Sequence, residues 1–412
     1  MTGAQWAQRL AAILLVAAAC SNGAVAAPQG SDEKLREFMQ QVRPQTSGDQ
    51  SVTATVPAER LKERADLLMA GEAALARMDA IAAIDFLDRA ALILHAADTE
   101  IALVRAYMQT GQYRRALAFG AHTAGAHLDV IGGSALYAWL LHAGGQIAVA
   151  QRLLVEAEAR MPRQPMLSRV QMQLKSGAPL ARGALLTLPT RLAPYGSSQP
   201  LPPSARVLGS GLLINRGTQA LVPLAPLPRS GRFWLRNGLG QLSRGTLQKR
   251  LPAIGLAWVR LESPFTAPED LWIAPADAFP GSVGYAVEYV ASRDSTPAWP
   301  LLRTGFLGAA IGDGGERLLG IDMPAGPRGG PVFDAAGRLT GVALPGALDK
   351  AGKLPTQDRL IAVSALQSKL KSSGQDPTLL GSPPPADLPP RAAADRIYEI
   401  SLKATVQLIG VP

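Results

Sequence analysis

Cysteine is almost absent from this chain of 412 residues, which contains only Cys20. Without a second thiol the chain cannot form an internal disulfide, so its stability must come from packing. Its length and its hydrophobic content of 47% suffice for two or three domains, each with a core of its own.

Histidine is also scarce, and its four copies are His95, His122, His127 and His142. The sequence after His142 therefore cannot supply an imidazole as a general base. No two of the four are spaced i,i+4, and no cysteine adjoins them, so we interpret each as a surface or packing residue. The sequence predicts no metal site and no cofactor.

Acidic residues are missing from 159–261, where fifteen Lys or Arg residues occur without one Asp or Glu. This stretch is either a solvated basic surface or a footprint for an anionic partner in the cell envelope. Aromatic residues make up 5% of the chain and no recognition motif is present, so we expect no nucleic-acid partner. The candidate cations of the basic stretch are Arg232, Arg236, Arg244, Lys249 and Arg250.

Long apolar runs are confined to the N-terminus. Residues 1–27 hold one basic residue, an apolar run and then small residues, which predicts a secretory signal and export to the periplasm or cell envelope. Cleavage after Ala26 would give a secreted protein. The alternative resembles a lipobox ending at Cys20, which would make the chain a lipoprotein, with the outer membrane as a candidate location. Residues 28–57 are predicted to be disordered or a linker.

Apolar residues at helical spacing fill 58–178, with turn residues about every dozen positions. Ala83, Ala116 and Ala150 lie 33 and 34 residues apart. The region resembles tetratricopeptide repeats, in which small residues let paired helices approach closely. The resemblance implies a surface that docks a protein or peptide partner. A generic helical bundle is the alternative.

Short β-like runs broken by Gly and Pro follow, over 206–372, and predict an all-β barrel or sandwich closed by a helix at 360–371. Pro-rich segments at 179–205 and 373–391 flank this region and are predicted to be linkers.

Two motifs in the strand-rich region carry a resemblance. GSGLLI occupies 209–214, and GPRGGPVFDAAGRLTGVAL occupies 326–344. Together they resemble the trypsin-like serine proteases, nearest the bacterial periplasmic high-temperature-requirement kind, which have G-S-G-F-I in an early strand and G-N-S-G-G-P around the nucleophile. The resemblance spans roughly 206–370 and implies a trypsin-like all-β double barrel after the helical repeats.

The same resemblance implies a Ser-His-Asp triad, and this chain departs from it at every position. Leu224 stands where the family has histidine, Gly255 where it has aspartate, and Arg328 where it has serine. A guanidinium stays protonated and is no nucleophile. Gly326 and Arg328 would provide the N–H groups of a vestigial oxyanion loop, which the long Arg328 side chain is expected to obstruct. The sequence predicts a pseudoenzyme.

An active endopeptidase with an atypical site is the alternative. Ser210 in the early strand is a candidate hydroxyl, which we interpret as structural, and His142 is the nearest imidazole in sequence. We therefore favour an exported pseudoprotease that acts as a protein-binding adaptor or scaffold. A third possibility is a module that binds an anionic surface.

The last segment, 392–412, pairs a helical stretch with a β-like run. In the family that it resembles, such a segment precedes the G-S-G strand, where this chain has Pro-rich sequence. We predict that the C-terminal strand fills the first position of the barrel, within the chain or, by exchange, in a homodimer. A disordered or partner-binding tail is the alternative.

Overall fold

A computed structural model describes residues 56–176, 184–188, 191–197, 201–228, 231–311, 314–323, 326–346, 357–372 and 374–411. All of them belong to one unit, 53–412. Cys20 and the predicted signal lie outside the described residues, as does nearly all of 28–57. None of the described helices combines the length and the apolar character needed to cross a bilayer.

Seven α-helices form the first part of the described chain. They are α1 (Ala58–Ala76), α2 (Ala80–Ile93), α3 (Ala97–Gln109), α4 (Tyr113–Ala126), α5 (Ile131–Ala143), α6 (Ile147–Arg160) and α7 (Pro165–Ser176). Each packs on the next, and α3 also packs on α1 and α5. This pattern is that of stacked helix pairs, so the prediction of helical repeats is confirmed.

The small residues that revealed the repeat lie at its helix contacts. Ala83, Ala116 and Ala150 occupy equivalent places in α2, α4 and α6, and all three are fully buried. A larger side chain at these places would push the paired helices apart.

Twelve described strands form two closed six-stranded antiparallel barrels, which confirms the predicted double barrel. The strands are β1 (Arg206–Ile214), β2 (Gln219–Pro223), β3 (Phe233–Asn237), β4 (Leu242–Leu251), β5 (Leu256–Leu261), β6 (Ser282–Glu288), β7 (Leu301–Ile311), β8 (Glu316–Gly320), β9 (Pro331–Asp334), β10 (Leu339–Leu344), β11 (Arg359–Ala362) and β12 (Thr405–Gly410). The first barrel has the order β1-β12-β3-β4-β5-β2, and the second has β10-β11-β8-β7-β6-β9.

Two further helices, α8 (Val363–Ser372) and α9 (Ala394–Ala404), follow the strands of the second barrel. The run at 360–371, which the sequence predicted to be a helix, begins within strand β11 and continues as α8. Its first residues pair with both β8 and β10, and this pairing overrides their helical periodicity.

The C-terminal strand β12 lies between β1 and β3 in the first barrel, within the same chain. It pairs antiparallel with both neighbours, with Gln407 opposite Ser210 on one side and Arg236 on the other. Val406 and Leu408 are fully buried in the barrel core. The last residues of the sequence therefore close the barrel that residue 206 opens.

The described parts of the two Pro-rich segments are packed. Leu192 is fully buried, and the Tyr195 hydroxyl donates a 2.7 Å hydrogen bond to Glu72 of α1. Leu380 is fully buried, and Ser382 forms a β-bridge with Trp272. These parts fix the chain against the helices and the barrels, respectively.

The helical repeats also contact the C-terminal helix α9. Tyr113 of α4 and Tyr398 of α9 are fully buried and pack edge to face, with ring centroids 4.3 Å apart. The Tyr398 hydroxyl donates to the carbonyl of Pro300, beside β7. The C-terminal helix α9 also packs on β1, β3 and β12 of the first barrel and on β6 and β9 of the second, so it joins the repeats to both barrels.

Candidate functional site: the loop before strand β9

Arg328 lies on the loop that precedes β9, at the position the resemblance assigns to the serine nucleophile. Its side chain is buried, and its Nε and Nη2 atoms lie 2.7 and 2.6 Å from the same carboxylate oxygen of Asp358. Asp358 also accepts a hydrogen bond from the backbone N–H of Gly346. The guanidinium is therefore directed into an ion pair.

Leu224 and Gly255 lie next to each other in the first barrel. The Leu224 N–H donates a 2.9 Å hydrogen bond to the Gly255 carbonyl. The Leu224 side chain packs against the core of this barrel. Pro223, just before Leu224, lies against Gly329, so the segments that carry Leu224, Gly255 and Arg328 meet where the two barrels face each other.

A buried carboxyl that the sequence analysis missed supports the loop from beneath. Glu288, at the end of β6, is 2% exposed, and its Oε1 accepts hydrogen bonds from the N–H groups of Gly330 at 3.0 Å and Gly329 at 3.3 Å. Burial raises the pKa of Glu288 to about 7, although Ser210, Arg328 and the two N–H groups oppose this shift. The one sequence signal was a carboxyl that ends an apolar strand.

The glycines of the loop are required by close approach. A Cβ on Gly330 would lie 2.0 Å from the carbonyl oxygen of Val287, and a Cβ on Gly329 would lie 2.3 Å from that of Ser210. Gly329 also has a φ of +143°, which side chains rarely adopt. These glycines preserve the shape of the loop whether or not it carries out chemistry.

The two residues of the alternative site are apart. Ser210 is fully buried, and its Oγ accepts a 2.6 Å hydrogen bond from the N–H of Tyr289. His142 on α5 lies with Nε2 3.3 Å from Nη2 of Arg303 on β7. Burial and Arg303 lower the pKa of His142 to about 4. Among the described hydrogen bonds, none joins this imidazole to a serine hydroxyl.

One member of the predicted basic stretch is not a surface cation. Arg236 is 3% exposed, and it donates to the side-chain oxygen of Gln407 on β12 and to the carbonyl of Ser295. Burial lowers the pKa of Arg236 to about 10, although Tyr289 and Asp294 oppose this shift. Arg236 lies on the face of β3 opposite the core residues Phe233 and Leu235, where the segment that carries Ser295 covers it. The remaining members, Arg232, Arg244, Lys249 and Arg250, are exposed.

The histidines are less scattered than their spacing indicated. His95, His122 and His127 converge on the buried carboxylate of Glu100, although they come from different elements of the repeats. His95, Glu100 and His127 together could hold a metal ion. Spacing along one helix could not reveal this cluster, because helix packing brings its members together.

Comparisons with known proteins give structural likenesses alone. No protein-family model matches the chain, and no curated protein matches it. Among solved structures, the inactive form of the Rv3671c protease of M. tuberculosis is 17% identical, with 42% of this chain and 89% of that chain covered and a TM-score of 0.33.

Two other solved structures are similar at the same level. The MamO protease domain from Magnetospirillum magneticum is 16% identical, with 41% and 96% coverage and a TM-score of 0.28. The HtrA-type protease AlgW with a decapeptide is 17% identical, with 41% of this chain but only 53% of that chain covered and a TM-score of 0.33. Likenesses of this size do not bear on activity.

Proposed function

We propose that this chain does not hydrolyse peptide bonds, and that it holds extended polypeptide as an exported adaptor or scaffold of the bacterial cell envelope. The observation that carries the proposal is the buried ion pair between Arg328 and Asp358 at the nucleophile position. Acyl transfer needs a nucleophile, a base that accepts its proton and donors for the oxyanion. Arg328 offers no nucleophile, and Leu224 offers no base.

The structure also argues against a replacement nucleophile. Ser210 lies close to the Glu288 carboxyl, but both side chains are buried beneath the loop. A scissile carbonyl could not come within the approximately 3 Å that attack requires without opening the contact between the barrels. The serine and the glutamate therefore support the loop.

A fluorophosphonate probe and a casein digestion test this part. We expect no labelling and no cleavage, both in the natural chain and in its Ser210→Ala variant. Labelling of the natural chain that Ser210→Ala abolishes would establish an active hydrolase and overturn the proposal.

The second barrel offers a surface for polypeptide. Phe279, Val283 and Phe306 are 81%, 46% and 50% exposed, and Val283 lies directly opposite Phe306 across the β6–β7 pair. Phe279 and Val283 border a cavity of about 290 Å³. Large exposed apolar side chains in one place mark a surface that is covered on binding. An extended segment with apolar side chains matches this chemistry.

A fluorescent peptide that is rich in Leu and Val and has zero net charge tests the binding surface. Phe279→Ser with Phe306→Ser should weaken its binding at least about tenfold, as expected when two aromatic contacts are lost. Ile81→Ser is the matched control, because Ile81 is an apolar residue of α2 with 80% exposure. An equal loss in the control would count against this surface.

The helical repeats are proposed to dock the protein partner that the scaffold serves. Tyr195 already covers Glu72 of α1, and the guanidinium of Arg105 of α3 lies 5.8 Å from its ring centroid. The partner would bind the surface of the repeats that the segment 191–197 leaves exposed. Replacing exposed residues of α2 should then weaken partner binding and leave peptide binding to the barrel unchanged.

The exposed cations of β4 favour a second candidate function, attachment to an anionic surface. Arg244, Lys249 and Arg250 lie on this strand, and Arg260 on the neighbouring β5 is also exposed. Binding to vesicles that contain anionic phospholipid should weaken steeply with salt if this candidate holds. Binding that is equal on neutral vesicles would exclude it.

A further inference from the structure

Three of the four histidines meet at one point of the helical repeats. His95 lies in the connection between α2 and α3, His122 is in the last turns of α4, and His127 directly follows that helix. The rings of His95 and His127 have centroids 4.8 Å apart, and those of His95 and His122 lie 5.4 Å apart. Their common neighbour is Glu100, in the first turn of α3.

Glu100 is the most deeply buried member of this cluster, with a side chain that is 1% exposed. Its Oε1 contacts Nε2 of His95 and lies 3.4 Å from Nε2 of His122, and its Oε2 lies 3.5 Å from Nε2 of His127. Among the described ion pairs, this carboxylate has histidine partners and no Lys or Arg. A buried carboxylate needs a compensating positive charge, which neutral imidazoles do not supply.

Protonation of the histidines is an unfavourable source of that positive charge. The Nε2 atoms of His95 and His122 lie 3.2 Å apart, so two protonated rings would direct N–H groups at each other. At most one of this pair can carry a proton at that position. A metal ion would instead accept the lone pairs of all the nitrogens and neutralise the carboxylate.

Three separations between donor atoms are close to those around a tetrahedral ion, and the donor atoms of His95, Glu100 and His127 all lie within 4.8 Å of one another. Ligands held about 2.0–2.1 Å from one zinc ion lie about 3.3 Å from one another. The cluster has separations of 3.2, 3.4 and 3.5 Å between its nitrogen and oxygen atoms. Three imidazoles with one carboxylate are a donor set that Zn²⁺ accepts.

We propose that His95, Glu100, His122 and His127 bind one divalent transition-metal ion, best matched by Zn²⁺, within the helical repeats. Access is from the side of His95, whose side chain is 36% exposed. The ligands come from the α2–α3 connection, from α3 and from the end of α4, so the ion joins the first two helix pairs.

The test uses the full chain without a polyhistidine tag, stripped with a chelator and titrated with Co²⁺ and with Zn²⁺. We expect one equivalent of Co²⁺ to bind with the intense visible absorption of tetrahedral coordination, and Zn²⁺ to displace it. Glu100→Gln and His127→Gln should each weaken Zn²⁺ binding at least about tenfold. Removal of a direct ligand costs more affinity than removal of a residue that only orients a ligand. His142→Gln is the matched control, because this histidine lies outside the cluster, and its affinity should be unchanged.

Thermal denaturation provides an independent readout. Zn²⁺ should raise the melting temperature of the natural chain and of His142→Gln, but not that of Glu100→Gln. If Glu100→Gln fails to fold, His95→Gln takes its place, because His95 lies on a partly exposed connection. Binding of well under one equivalent, or equal losses in the control, would overturn the proposal and leave a proton-linked histidine cluster.

Discussion

The backbone N–H of Leu224 donates a hydrogen bond to the carbonyl of Gly255, 2.9 Å away. The two positions that the resemblance assigns to the catalytic histidine and aspartate thus remain neighbours, although neither side chain can carry out that role. Arg328 lies across the interface, paired with Asp358. The backbone hydrogen bond between Leu224 and Gly255 and the ion pair between Arg328 and Asp358 therefore hold these segments in place.

The Arg328–Asp358 pair should contribute to stability without contributing chemistry. Arg328→Met and Asp358→Asn are each expected to lower the free energy of unfolding by about 1–3 kcal/mol, since each leaves a largely buried charge without its partner. The double variant should lose less than the sum, and urea denaturation of all four proteins measures this coupling. Strict additivity would contradict the pairing.

Glu288 should make stability fall with rising pH. Burial raises the pKa of its carboxyl from 4.5 to about 7 in the folded chain, so the folded state holds the proton more tightly. Its stabilising contribution is therefore complete below about pH 4.5 and is lost as the pH rises through 7. Relative to Glu288→Gln, the natural chain should lose up to about 3 kcal/mol across that window.

Urea denaturation at a series of pH values measures this difference. The comparison between the two proteins cancels the titration of every other group. Parallel stability curves for the natural chain and Glu288→Gln would show that the carboxyl does not titrate in this range.

His142 should have the opposite effect. Burial, reinforced by Arg303, lowers the pKa of its imidazole from 6.5 to about 4, so the unfolded chain binds the proton more tightly. Its contribution to stability is present above pH 6.5 and is lost as the pH falls toward 4. His142→Gln should remove up to about 3 kcal/mol of this acid-induced loss.

Glu288→Gln is the control for the His142 measurement, because it should keep the loss on the acid side. Since His142 contacts β7, acid should weaken the attachment of α5 to the second barrel first. Protection factors at α5, corrected for the intrinsic exchange rate at each pH, that do not fall between pH 7 and pH 5 would contradict this account.

Short sequence patterns predicted the helical repeats and the double barrel. The spacing of Ala83, Ala116 and Ala150 indicated the repeats because helix pairing needs a small residue once per repeat. The two glycine motifs carried the resemblance that implied the double barrel, and the tight approach of Gly329 and Gly330 explains why their residue types recur.

Contacts between distant segments were beyond those patterns. Asp358 lies thirty positions after Arg328, and Glu288 lies about forty before it, so no motif joined them. Arg236 looked like part of a basic surface because the sequence does not show that the distant segment around Ser295 covers its side chain. Histidines from three elements met at Glu100 only through helix packing.

The last strand of the chain should be as important to the first barrel as any other. Deletion of 392–412 would remove β12 and expose the unpaired edges of β1 and β3. The single substitution Leu408→Ala, at a fully buried core position, should lower the free energy of unfolding by about 2–5 kcal/mol. Met69→Ala on α1 is the control, since Met69 is 63% exposed, and it should change stability by less than about 0.5 kcal/mol.

A peptide of residues 392–411 distinguishes pairing within the chain from pairing between chains. Added to the deletion variant, it should restore part of the lost melting temperature, because the edges of β1 and β3 would be free to accept a strand. Light scattering of the natural chain should give the mass of one copy, since β12 fills its own barrel. A dimer that dissociates when 392–412 is deleted would show instead that the strand is exchanged between two copies.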